Sequence, residues 1–445
     1  MQLSVLILFL LVTLASYASS LGAPRVLEFT PELMSGLILA YVLIAGPRRR
    51  FHLVNPKYWL VFGALTAIII AGIINGGASA GPILSALRFY LRAIPLFFLP
   101  AVCDFSDEQQ KQQLKLLMFL GLVQLPVAAY QRWIVWSEGR YTGDPVTGTL
   151  LDSGILSIFL ICAALVVSGL MLRGHLSKRG YVALLLALLL PTTINETKVT
   201  VFFVPIGLLI AFAVGATPGK RLKAAASTLL ILLTFGAIFF PVYTYFQSRD
   251  PYANHDDLIG VLTNQKDRAQ YLIGGAAGVG APTRDIRRGD SLFVPLQYIS
   301  GDPITLGLGL GLGAVSPSQL GEQFQGRYYQ YFKDFLQTAF SNFVLEIGVL
   351  GVATLLLLYW FLFSDALTVA RHDDTFVGGI AVGWAGVVVL MCISLVYAEI
   401  QMASSLSYLF WYFSGMIAAR RVQLGYRAET MSASSSVASG LSTTR

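Results

Sequence analysis

The sequence is short of charge. Lysine, arginine, aspartate and glutamate make up 12% of its 445 residues, about half of what a soluble domain carries. With 55% hydrophobic residues and a mean hydropathy of +0.67, this excludes water as the main solvent of the fold. Cysteine is also scarce. Cys103, Cys162 and Cys392 all lie in or beside apolar segments, so no disulfide framework is implied. The four histidines, His52, His175, His255 and His372, show no ligand spacing, and metal chemistry is not expected. No Gly-Lys-Ser/Thr follows a glycine-rich stretch, which argues against a nucleotide site, and nothing recurs at a fixed period. The net charge of +7 does not indicate nucleic acid, because the basic residues cluster in short loops between apolar runs.

Those runs are the main content. Segments long enough to cross about 30 Å of hydrocarbon are read at 3–20, 32–46, 58–74, 83–102, 114–136, 154–172, 180–194, 199–216, 224–246, 336–363, 377–397 and 405–419. In lipid the backbone must satisfy its own polar groups, so runs of this length are helices. The first run lacks a basic leader and is read as a retained helix rather than a signal peptide. Runs 180–194 and 199–216 are short and share one interruption, as in a helical hairpin. The expected fold is all-α and polytopic, with about 12 transmembrane helices. Residues 1–246 hold nine of them and 336–420 the last three. Residues 247–335 form one large outward loop, and 421–445 a cytoplasmic tail that is disordered where it is serine-rich. With both termini cytoplasmic, sixteen lysines and arginines fall on the inner side. Four (Arg25, Arg132, Arg140 and Lys198) fall in short outer loops and helix ends. That bias sets the orientation.

Several residues are placed for chemistry. Arg88 and Arg92 are one turn apart and share a face in the outer half of the fourth run. A guanidinium at mid-membrane costs at least ~2.5 kcal/mol and needs a partner. Either lipid pyrophosphate oxygens, which arginine pairs bidentately, or an internal carboxylate such as Glu346 fits. Lys198, at the hairpin tip in Asn-Glu-Thr-Lys, meets either an anionic ligand or Glu196. Arg140 lies in a Gly/Pro turn on the same side. Arg284, Arg287 and Arg288 form a basic cluster in the large loop, or a solvated face paired with Asp285 and Asp290. The alternating glycines from Gly307 to Gly313 allow close backbone approach to a ligand or another chain, or make a flexible connector. The aromatic stretch 324–335, Tyr328 included, suits a membrane interface or stacking on sugar rings. His255 and Glu346 are the available general bases, neither well placed.

This pattern resembles the O-antigen ligase and polymerase superfamily of membrane glycosyltransferases. The resemblance covers most of 93–351, mainly through topology. Arg288 (or Arg287), Asp302-Pro303 and Gly307-Leu308-Gly309 look like its loop arginine, Asp-Pro and Gly-rich run. Lys198 looks like its basic residue at a helix start. The segment from Ser341 to Gly351, with Glu346, Gly348 and Gly351, is similar to its closing helix. The ligase branch carries a histidine in the loop's closing segment, and none lies between Gly326 and Glu346, which favours the polymerase branch.

The resemblance implies a metal- and cofactor-independent enzyme of the bacterial inner membrane. It would transfer a glycan from undecaprenyl pyrophosphate to a lipid-linked repeat unit at the periplasmic face. Partners would be that lipid-linked oligosaccharide, membrane lipids and other polysaccharide assembly and export proteins, with no nucleic acid. Arg288 and Lys198 would act on the departing pyrophosphate. Arg88, Arg92, Arg140, Arg287, Glu346 and Tyr328 would bind substrate. A ligase, and a secondary transporter or lipid flippase, are the rival readings.

Overall fold

The computed structural model describes residues 1–49, 51–136, 145–216, 219, 221–247, 288–318 and 321–442. It is 80% helical, without strands among those residues. In chain order the main helices are α1 (Gln2–Ser20), α2 (Val26–Arg49), α3 (Pro56–Gly76), α4 (Ala80–Leu91) and α5 (Pro95–Cys103). Then come α6 (Asp107–Tyr130), α7 (Ser153–Leu172), α8 (Lys178–Ile194), α9 (Thr200–Gly215) and α10 (Arg221–Gln247). The last are α11 (Arg288–Ile299), α12 (Pro303–Leu308), α13 (Ala339–His372), α14 (Phe376–Ser394) and α15 (Ser404–Ser442). The apolar runs overlap these helices, with 83–102 divided between α4 and α5 and 377–397 running past the end of α14. Among the described residues eight helices are long and apolar enough to cross a membrane, or nine if the bent α4–α5 pair is one span. The chain is a multi-pass membrane protein.

Helix starts follow the capping residues. Asn55 accepts from Lys57 N with Pro56 at the first position, Ser106 and Gln109 form a reciprocal capping box, and Asp152, Ser177 and Thr338 cap α7, α8 and α13. The centre of the bundle is α7 against α14, with α9 and α13 alongside. Gly169 on α7 packs on the backbone of Gly379 and Gly383 on α14, and Gly383 on the Leu165 carbonyl, so a Cβ at Gly169 or Gly383 would collide. In lipid, where the hydrophobic effect does not drive helices together, such small-residue contacts supply the packing.

Three elements depart from the simple reading. Run 83–102 is broken, with α4 and α5 bent by 44°. Residues Gln131–Val135 form a π-helical turn after α6. Within α13, Gly348 sits at φ 65°, ψ −175° and interrupts the helix. The interruption frees the Leu345 carbonyl, which accepts Leu310 N at 2.6 Å. Leu310 belongs to the alternating-glycine stretch, which is therefore neither a ligand loop nor a flexible connector. It packs against its own chain, with Gly309 on the α13 break, Gly311 on Gly72 of α3, and Gly313 on Pro82 of α4, at φ values of 75°, 91° and 86°. Backbone this irregular is tolerated at membrane depth only when buried in protein. The described part of 247–335 is thus docked into the bundle. The last helix runs on to Ser442, through the serine-rich segment read above as disordered.

Candidate functional site

A cleft of about 480 Å³ opens at the end of the bundle that holds the Ser20, Gly76 and Ser153 helix ends. Its walls come from Val12 and Ser16 of α1, residues 149–155 around the start of α7, Gln337, and the α14–α15 connection from Tyr397 to Ser405. Two carboxylates line it, Asp152 and Glu399, and no lysine or arginine does so among the described residues. Asp152 Oδ1 accepts Ile155 N at 2.7 Å as the α7 cap. Glu399 Oε1 accepts Asn342 Nδ2 at 3.1 Å. Burial pushes the Glu399 carboxyl above the usual carboxylate range, the Asn342 bond opposes this, and the Asp152 charge adds to it. The connection bearing Glu399 is pinned, because Ala339 N and Phe340 N at the start of α13 donate to Ala398 O (2.9 Å) and Leu395 O (2.8 Å). Leu151, on the cleft wall, holds φ 60°.

The α8–α9 hairpin tip adjoins this cleft. Asn195 Nδ2 donates to Ser153 O (3.0 Å) and Ser157 Oγ (2.9 Å), and its Oδ1 accepts Thr197 N (3.2 Å). Glu196, at φ 59°, is held by Arg132 Nη2 at 2.5 Å, which accounts for the burial of the Arg132 side chain on an otherwise exposed π-turn. Thr197 and Thr200 are 1% and 0% exposed, and among the described residues their hydroxyls have no hydrogen-bond partner. Lys198 stands between them in the turn before α9, and the first N–H groups of that helix, from Thr200 to Phe203, donate to the carbonyls of Thr197, Lys198 and Val199. Below the tip, an apolar groove of about 450 Å³ runs between α8 and α10, with Val182, Leu186, Leu230 and Ile238 on its walls and Thr193 at its upper end. From Tyr181 to Thr193 it spans about 18 Å of helix.

The structure brings together some of the sequence-derived candidates and reassigns others. Arg88 and Arg92 do share a face, but both are engaged: Arg88 Nε meets Glu32 Oε2 at 2.6 Å and Arg92 Nη1 meets Glu32 Oε1 at 3.4 Å. Arg92 Nη2 also donates to the carbonyls of Gln401 (3.0 Å) and Met402 (2.6 Å), and Ser35 donates to the Arg92 carbonyl. Their acid is thus Glu32 on α2, not Glu346, and Arg92 braces the α14–α15 connection. Glu346 is 1% exposed and accepts Ser316 Oγ (2.7 Å) and Val315 N (3.3 Å). It fastens the segment after the glycines, so substrate contact is withdrawn for it. Tyr328 lies apart from the cleft, under the Arg327 guanidinium (4.7 Å to the ring centre) and beside Tyr298. Asp302 caps α12 through Thr305 N (2.8 Å) and Oγ1 (2.7 Å), bonds that hold its carboxyl below the usual range. Arg140, Arg287 and His255 lie outside the described residues, and of Arg288 only the backbone at the start of α11 is described.

Sequence reasoning missed Glu399, Asp152, Asn195 and the two threonines. The one available signal was position: Glu399 stands in the short connection between two apolar runs, and Asp152 just before another. Comparison with protein-family models and with curated proteins found no match.

Proposed function

We propose that this chain is a polysaccharide polymerase of about twelve spans in the bacterial inner membrane, transferring a glycan from undecaprenyl pyrophosphate to the sugar of a second lipid-linked unit. Both termini are cytoplasmic and the cleft end faces the periplasm. The observation that carries the reading is the adjacency, through Asn195, of the tip that carries Lys198 and a polar cleft. Lys198, in the turn before α9, suits a pyrophosphate. The α8–α10 groove suits the apolar tail of the same lipid. The cleft, with its hydroxyls, amide and carboxylates, suits an acceptor sugar.

In the reaction the acceptor oxygen bonds to the donor's anomeric carbon, and the carbon–oxygen bond to pyrophosphate breaks. The electron pair leaves with the lipid pyrophosphate, where positive groups stabilise it. Lys198 takes that role here, with Arg140, Arg287 and Arg288 as further candidates. Arg92 acts indirectly, by holding the α14–α15 connection, and Arg88 shares its Glu32 partner.

One observation favours a second reading. Helices interrupted at membrane depth, as α4–α5 and α13 are, also occur in secondary transporters. Against it, the α13 gap is filled by the chain's own Leu310 rather than opened to a ligand. A single experiment separates the two. Purified protein in vesicles is given lipid-linked repeat units, and the products are run on a gel and assayed for sidedness. A ladder that disappears in Lys198→Ala, with the variant still folded, is the expected result. Unaltered substrate moved across the vesicle would replace the polymerase by a transporter.

A further inference from the structure

We propose that Glu399 is the general base of glycan transfer and that Asp152 tunes it, an assignment that rests on the reading above. A base must be fixed in space, must have an oxygen open to substrate, and must not be spent on a stronger partner. Glu399 meets all three conditions. Its backbone is pinned on both sides by Ala339 N to Ala398 O and by Met402 N to Glu399 O, each 2.9 Å. One carboxylate oxygen is held by Asn342, itself anchored on the Thr338 carbonyl at 3.0 Å. Asn342 is its one hydrogen-bond partner among the described residues, which leaves the second oxygen to the cleft.

The surroundings separate Glu399 from every other acid nearby. Glu32 and Glu196 are bound to arginines. Glu346 is enclosed and bonded to Ser316. Asp152 is occupied as the α7 cap. Around Glu399 stand Asn342 from α13, Asp152 from the α7 start, Ser16 from α1, Gln337, and Tyr397, Ser404 and Ser405 from its own connection. Asp152 is the titratable acid among them and no cation lines the wall. A second observation supports this spot, since the α8–α9 hairpin tip that carries Lys198 meets the cleft wall where Asn195 Nδ2 donates to Ser153 O. With pyrophosphate there, an acceptor hydroxyl in the cleft lies between donor and base. Its proton passes to Glu399 as the oxygen attacks the anomeric carbon. Burial and the Asp152 charge raise the affinity of Glu399 for that proton, which makes it a stronger base than an exposed glutamate.

The test compares wild type, Glu399→Gln, Glu399→Asp and Asp152→Asn as purified full chains, using extracted lipid-linked repeat units as the probe. Asparagine caps a helix as well as aspartate, so Asp152→Asn changes charge with little effect on α7. Glu399→Gln should lower kcat by about 100-fold or more, the range for loss of a general base, with KM within about twofold. Glu399→Asp should retain part of the rate. In wild type the rate should rise with pH through a limb above the ordinary glutamate value, and Asp152→Asn should move that limb to lower pH. If wild type forms a ladder and Glu399→Gln extends it within a few-fold of the normal rate, the base assignment falls and glycan transfer stands. If Glu399→Gln does not fold, the Asp152→Asn limb decides, and an unmoved limb overturns the assignment. A wild-type chain that makes no ladder overturns both readings.

Discussion

At the scale of single residues, the buried Asp373–Arg420 pair is pH-dependent in a definite direction. Arg420 Nε meets Asp373 Oδ2 at 2.6 Å and its Nη2 meets Oδ1 at 3.2 Å, while Thr375 N donates to Oδ1 at 3.0 Å. Burial alone would raise the Asp373 carboxyl, but these bonds outweigh it and hold the group below the usual aspartate range. A carboxyl with a lowered folded pKa stabilises the protein above its unfolded value, about 3.9. That stabilisation is lost as pH falls through the lower folded value. Thermal unfolding of the purified protein should therefore show an acid-induced loss that is smaller in Asp373→Asn, and equal losses would refute the linkage. Arg420→Ala should cost about 3 kcal/mol at neutral pH, because it leaves the Asp373 charge buried and unpaired. The same logic marks what sequence could tell at this scale. The four-residue spacing of Arg88 and Arg92 revealed a shared face, but their partner, Glu32, is more than fifty positions away on α2, and no local pattern points to it.

At the scale of elements, the informative feature is the glycine stretch between α12 and the start of the aromatic segment. Gly309, Gly311 and Gly313 each have positive φ and face backbone, so substitution combines strain with collision. Gly311 and Gly22 separate the two effects, because both have positive φ (91° and 100°) but only Gly311 has a neighbour, the Gly72 carbonyl. Gly22→Ala should cost about 1–2 kcal/mol from the left-handed backbone. Gly311→Ala should cost a further 1–3 kcal/mol or so from overpacking. Melting temperatures of the two variants in detergent give the comparison, and equal losses would mean that the contact with α3 contributes nothing. The apolar runs were legible because length and hydropathy alone determine a span. Their breaks were not. A glycine in an apolar run reads the same whether the helix continues or, as at Gly348, opens to receive another segment, and only the tertiary contact decides. Glu399 was overlooked for a related reason: a short connection between spans carries no periodicity, and its value lies in which helix ends converge on it.

At the scale of the whole molecule, the two ends of the bundle differ in charge and in use. The end opposite the cleft gathers ion pairs around basic side chains: Lys57 with Asp365, Arg173 with Asp374 and Arg420 with Asp373. The cleft is lined by acids. Because short basic loops resist translocation, the first end should be cytoplasmic and the cleft should open on the far side, where a lipid-linked donor can enter along the α8–α10 groove. Cysteine accessibility tests this directly. In a variant lacking Cys103, Cys162 and Cys392, exposed serines are replaced singly: Ser20 and Ser300 at the cleft end, Ser106 and Ser177 at the other. A membrane-impermeant maleimide should label Ser20→Cys and Ser300→Cys in intact cells, and Ser106→Cys and Ser177→Cys only after permeabilisation. A reversed pattern would turn the cleft toward the cytoplasm. Glu399 would then face water from which the proposed donor leaflet is inaccessible, and no rearrangement of side chains could restore the reaction. Labelling of all four in intact cells would break the alternation of spans itself. The proposed chemistry therefore depends on a property visible in the loops, the placement of sixteen basic residues against four, as much as on the cleft.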